Sequence, residues 1–140
     1  MVKTSIRRAV LVLAIVAIAV IGARAVTHAQ QAAPAVVRKV LIQQDLTIPG
    51  YQTALVSVEI PVGGREGRHT HPGTLLVLVQ EGALTLDYEG RPTVTYKAGE
   101  SFYVEPGKIH EGINKGNAPI KALASFVTEK GKPLTTQVQK

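Results

Sequence analysis

The stretch RHTHPGTLLVLVQEG, Arg68 to Gly82, decides how the chain is read. Two histidines separated by one residue precede a Pro-Gly step, an aliphatic run and a Glu-Gly turn. On a strand, residues i and i+2 point to the same face, so His69 and His71 present two imidazoles side by side to one interior. Neutral imidazoles ligate divalent transition metals, and two on one face need only a donor from another strand to make a set of three. His110, in PGKIHEGIN (Pro106 to Asn114), follows a tight Pro-Gly turn at the start of another β-like run and is the natural third ligand.

Outward from these residues the chain is a series of short runs rich in Val, Ile, Leu, Thr and Tyr. They cover 36–43, 52–60, 74–80, 83–88, 93–97, 101–104, 109–114 and 120–128, and Gly or Pro bounds most of them. Eight short strands, with no helical periodicity over three turns from residue 36 on, predict an all-β sandwich or barrel. Gly82, Gly99 and Gly107 are expected to supply turn geometry, and Asn114 to stabilise the fold by hydrogen bonds.

The N-terminus reads differently. Lys3, Arg7 and Arg8 precede Ala9 to Ile21, thirteen consecutive apolar residues. A bilayer span takes about 20, so the pattern predicts a helical, cleavable signal peptide over 1–29, with Thr27-His28-Ala29 as the small-residue site. A disordered linker is expected at 30–35, the folded domain at 36–130 and a polar C-terminal tail at 131–140. The protein is then exported, periplasmic or secreted, with no stable membrane span after cleavage.

The leader carries four of the sixteen Lys and Arg and none of the ten acids, leaving twelve against ten, a net +2. With no basic cluster interleaved with aromatics, nucleic acid is not an expected partner. The absence of cysteine excludes disulfides, thiolate metal sites and Cys nucleophiles. No Ser-His-Asp arrangement, catalytic carboxylate pair or phosphate-cradling glycine loop is evident.

These residues resemble the two motifs of the cupin family. Gly63, five residues, His69-Thr70-His71, three residues to position 75 and six more to Gly82 is similar to the first. Gly99, then Pro106-Gly107, two residues to His110 and three to Asn114 is similar to the second. The resemblance extends over nearly all of 36–130. It implies a cupin jelly-roll β-barrel holding one divalent metal ion on His69, His71 and His110. Cupins commonly pair through their sheets, which implies a homodimer.

The chain departs from the family at one position, because Leu75 stands where a Glu ligand is usual. Leu75 shares the His71 face by parity, and with Val77 it is a candidate for the pocket wall. Arg68 and Glu111 point away by the same parity and are expected on a solvated face. Three neutral histidines leave a divalent ion its full charge, which favours an anionic co-ligand. The expected ligand or substrate is therefore a small, anionic, metal-chelating compound. Fe(II) is the first expectation for the ion, with Mn, Ni, Zn or Cu behind it, and the chemistry would be dioxygenase-like or isomerase-like. The alternative is a non-catalytic module that binds a small ligand or a metal. Protons compete for the same nitrogens, so metal binding is expected to weaken below about pH 6.

Overall fold

The computed structural model describes residues 35–138; the leader expected at 1–29 and most of the linker lie outside them. The strands are β1 (Val37–Asp45), β2 (Tyr51–Ile60), β3 (His69–Thr70), β4 (Thr74–Glu81), β5 (Ala83–Tyr88), β6 (Val94–Lys97), β7 (Ser101–Val104), β8 (His110–Ile113), β9 (Ile120–Glu129) and β10 (Thr136–Gln137). Among the described residues there is no helix, and so none long and apolar enough to cross a membrane. The eight longer strands match the eight predicted runs to within about two residues at most ends.

The strands form two five-stranded sheets, ordered β1-β2-β9-β4-β7 and β10-β3-β8-β5-β6, and every pairing is antiparallel. Period-two patterning drives this arrangement. In β9, Ile120, Ala122, Ala124, Phe126 and Thr128 are buried, while the intervening residues face outward. That strand runs in register against β2 from Tyr51↔Glu129 to Ile60↔Ile120. The core, centred on Ile60, Val79, Val104 and Ile120, lies between the inner faces of the sheets.

Two glycines hold the frame because nothing larger fits. Gly82 turns β4 into β5 with φ of 79°, and a Cβ there would lie 2.9 Å from the Pro119 carbonyl. Gly73 links His71 to β4 so closely over β9 that a Cβ would fall 2.1 Å from the Val127 carbonyl. The loop carrying His71 is thereby pressed onto the sheet. Asn114 is buried and joins the loops around it: its Nδ2 donates to the Ile60 and Ala118 carbonyls at 2.9 Å each, and its Oδ1 accepts from Gly116 N at 3.0 Å.

Glu111 corrects the sequence reading. It is buried, not solvated, with 3% exposure. Parity does turn it away from the histidines, but the 61–68 loop folds over that outer face. Arg65 donates to both Glu111 carboxylate oxygens, and Gly67 N donates at 3.0 Å. The Arg65 hydrogen bonds hold the Glu111 carboxyl below its usual range, and burial opposes them. Residues 136–137, within the predicted polar tail, form β10 and pair with β3 in the register Thr136↔Thr70 and Gln137↔His69.

Candidate metal centre

Three elements deliver the histidines. His69 lies on β3 directly opposite His110 of β8, and Tyr88 of β5 lies opposite His110 on its other side. His71 follows β3 in the Gly73-clamped loop, with its ring 5.1 Å from that of Phe126 on β9. All three histidines are at most 3% exposed, and their ring centroids are 4.4 to 4.9 Å apart. Each offers a nitrogen, and these ligating atoms lie within 4.8 Å of one another.

Hydrogen bonding on the far side of each ring sets its tautomer. His69 Nδ1 lies 2.7 Å from the Gly67 carbonyl, His71 Nδ1 2.6 Å from the Leu134 carbonyl, and His110 Nδ1 3.0 Å from the Lys108 carbonyl. A carbonyl only accepts, so each Nδ1 carries the proton and donates it, leaving every Nε2 bare toward the centre. His71 Nε2 and His110 Nε2 are 3.1 Å apart. With both Nδ1 atoms protonated this is no hydrogen bond but two lone pairs facing each other. Two nitrogens at about 2.1 to 2.2 Å from a common ion and at right angles to each other would be about 3.0 to 3.1 Å apart. The His71–His110 pair has the spacing that a divalent cation requires, and the third donor lies within 4.8 Å of both.

Electrostatics points the same way. Burial pushes His71 from its ordinary 6.5 down to about 3, opposed by the hydrogen bond to the Leu134 carbonyl and assisted by the charges of His69, His110 and Arg38. Burial likewise lowers His110 to about 4, against the Lys108 carbonyl. Both rings are therefore neutral and ligand-competent at physiological pH.

The histidines open onto a cavity of about 200 Å³. Leu75 and Val77 line it, with Val56, Val58, Phe102 and Phe126 among the other apolar walls. Leu75 is 4% exposed and pairs in register with Val104 and Phe126, so the position of the usual family carboxylate is an apolar wall. Glu66 also borders the cavity but is not part of the convergent group. Its carboxylate accepts from Arg38 Nη2 at 2.8 Å and from Gly112 N at 3.2 Å.

Sequence reasoning did not single out Arg38, Leu134 or Thr135, all of which line the cavity. Arg38 shares strand parity with Val40, which also lines the cavity, but every residue of β1 is exposed and the parity had no burial pattern to reveal it. Leu134 and Thr135 had no signal either, because a backbone carbonyl acting 63 residues from its histidine leaves no trace in side-chain patterning.

Comparison with known proteins agrees with this fold. Residues 56–126 match the family described as the cupin domain. An auxin-binding protein of Prunus persica is 29% identical over 97 residues, which cover 66% of this chain and 45% of that protein. The chain spans less than half the length of the curated relatives it matches. Among solved structures, a cupin-like protein of Thermotoga maritima superposes with a TM-score of 0.63 at 19% identity, covering 75% of this chain and 77% of that one. An oxalate oxidase in complex with the substrate analogue glycolate superposes with a TM-score of 0.55 at 24% identity, covering 61% and 46%.

Proposed function

The chain belongs to the cupin family, and from that premise we propose that it is an exported cupin binding one divalent metal ion through His69, His71 and His110. In this reading it acts on a small, anionic, metal-chelating compound by dioxygenase-like or isomerase-like chemistry. The observation that carries the proposal is the convergence of three buried imidazoles, each with Nδ1–H donated to a backbone carbonyl, whose ligating atoms lie within 4.8 Å and two of whose Nε2 atoms are 3.1 Å apart. An ion held there supplies Lewis-acid polarisation and, if redox-active as Fe(II) is, electrons for chemistry with O₂. Fe(II) is the first choice, with Mn, Ni, Zn and Cu as the others.

The chain's own residues hold the ion, orient the compound and exclude water. Leu75 in place of a carboxylate leaves the three-histidine set neutral, so charge balance favours an anionic partner. Relatives named for auxin binding and for oxalate oxidation support a small organic ligand. They also keep a second reading in place, a non-catalytic module that captures such a ligand or a metal. Export rests on the charged and apolar pattern of 1–29 and places the protein in the periplasm or outside the cell.

The assembly in this reading is a homodimer. The outward face of the β1-β2-β9-β4-β7 sheet exposes Ile42, Leu76, Leu78, Tyr103 and Val127. The register sets Ile42, Leu55, Ser125, Leu76 and Tyr103 in one row across five strands, an apolar surface suited to a second copy.

Metal analysis of untagged protein, followed by oxygen uptake with small diketones, thiols and phenolics, tests the proposal. Stoichiometric metal with uptake is the expected result. Metal with ligand affinity and no turnover selects the binding module, and protein that takes up no metal refutes the site.

A further inference from the structure

The cavity has polar groups at two places: the three imidazoles, with the Thr135 hydroxyl beside His71, and the Arg38–Glu66 pair. Arg38 is the one Lys or Arg among the described residues lining it. It stands on β1 opposite Val58, which also lines the cavity, so both side chains share the inner face. Glu66 holds it there, since one carboxylate oxygen takes an Arg38 N–H and the other takes Gly112 N, two residues beyond His110. The guanidinium is thus positioned through the same strand that carries a histidine of the site. It has five N–H donors, of which one is engaged among the described residues. The remaining edge is the planar fork that receives a carboxylate.

We propose that Arg38 determines the ligand specificity of this cavity, receiving the distal carboxylate of a short dianionic acid whose other end sits at the three histidines. The inference rests on the metal-binding reading and narrows its substrate class. Three neutral histidines with a divalent ion carry +2, and the Arg38–Glu66 pair adds nothing net, so a dianion balances the site. The other walls of the cavity are apolar and suit a short hydrocarbon body. A cavity of about 150 Å³ accommodates benzene, so about 200 Å³ takes a diacid of roughly six to ten non-hydrogen atoms.

The test uses the full chain loaded with Co(II), with metal content measured in each sample and thermal melts as a folding control. Calorimetry compares succinate with butyrate on the wild type, Arg38→Gln and Arg38→Lys. The wild type is expected to prefer succinate about tenfold or more. Arg38→Gln abolishes that preference while butyrate affinity stays within about twofold, and Arg38→Lys recovers part of it. A preference unchanged in Arg38→Gln, or absent from metal-loaded wild type, overturns the assignment. Failure of the metal reading shows separately, as wild type that takes up no Co(II). If such protein still prefers succinate through Arg38, the residue's role stands without the metal.

Discussion

Acidification of the metal-free protein reads out the buried, neutral state of the histidines. His71 is held at about 3 and His110 at about 4, against an ordinary 6.5 for each in the unfolded chain. Between those values the unfolded chain binds more protons than the folded one. The stabilisation is therefore fully present above about pH 6.5 and lost as pH falls toward the folded values. From pH 7 to pH 5 each ring accounts for about 2 kcal/mol, together about 4 of a domain stability of about 5 to 15 kcal/mol. Stopping at pH 5 leaves out Glu111, whose lowered pKa contributes stability that is lost only as pH falls below the ordinary carboxyl value of 4.5. The assay is urea unfolding with a chelator at the two pH values, where about 4 kcal/mol moves the midpoint by roughly 2 M for a slope of about 2 kcal/mol/M. His71→Gln is expected to remove about half of the shift. A wild-type midpoint that does not move between pH 7 and pH 5 refutes the reasoning. The same lowered values carry proton competition for the metal below the pH of about 6 expected from unperturbed imidazoles.

Leu75→Glu restores an anionic donor to the cavity wall. Divalent metal affinity is expected to rise and anionic-ligand affinity to fall, while the metal-free melting temperature drops because a buried carboxylate costs several kcal/mol. A drop that excess metal fails to reverse would mean that position 75 does not see the ion. Asn114→Ala strips the Ile60 and Ala118 carbonyls of a donor and Gly116 N of its acceptor, a loss of about 2 to 4 kcal/mol by urea unfolding with little change in the succinate-to-butyrate ratio. Leu76→Lys, on the outward sheet face, is expected to convert a dimer to a monomer by light scattering without altering metal stoichiometry. A wild-type monomer at high micromolar concentration defeats the dimer.

The long strands and the three ligand candidates were legible because each rests on local pattern. The alternation of Thr74 to Glu81 and of Ile120 to Glu129 survives into burial, and His110 is announced by the Pro-Gly turn before it. β3 and β10, at two residues each, are too short to show any period. Parity turned Glu111 away from the cavity correctly, but it has no means of saying that Arg65 and Gly67 would cover it. Arg38 looked like an ordinary charged residue of an edge strand until Glu66, 28 positions away, was seen to hold it.

The Leu134 carbonyl that orients His71 belongs to a segment whose backbone ladder is short, although the Leu134 side chain packs against the core and the Thr135 hydroxyl sits beside His71. β10 makes two register pairs with β3, followed by Val138 N donating to the Arg68 carbonyl at 2.9 Å. Leu134 lies 63 positions from His71, so this long-range contact is expected to form late in folding. The same segment is cheap to detach, because so short a ladder opens locally while the paired strands beneath it stay closed. An ion held at the histidines is expected to exchange as residues 134–138 peel away and release the His71 Nδ1 contact, and not at the global unfolding rate. Under native conditions the Val138 amide should trade its hydrogen on the timescale of metal release and far faster than amides at the centre of the β2–β9 ladder.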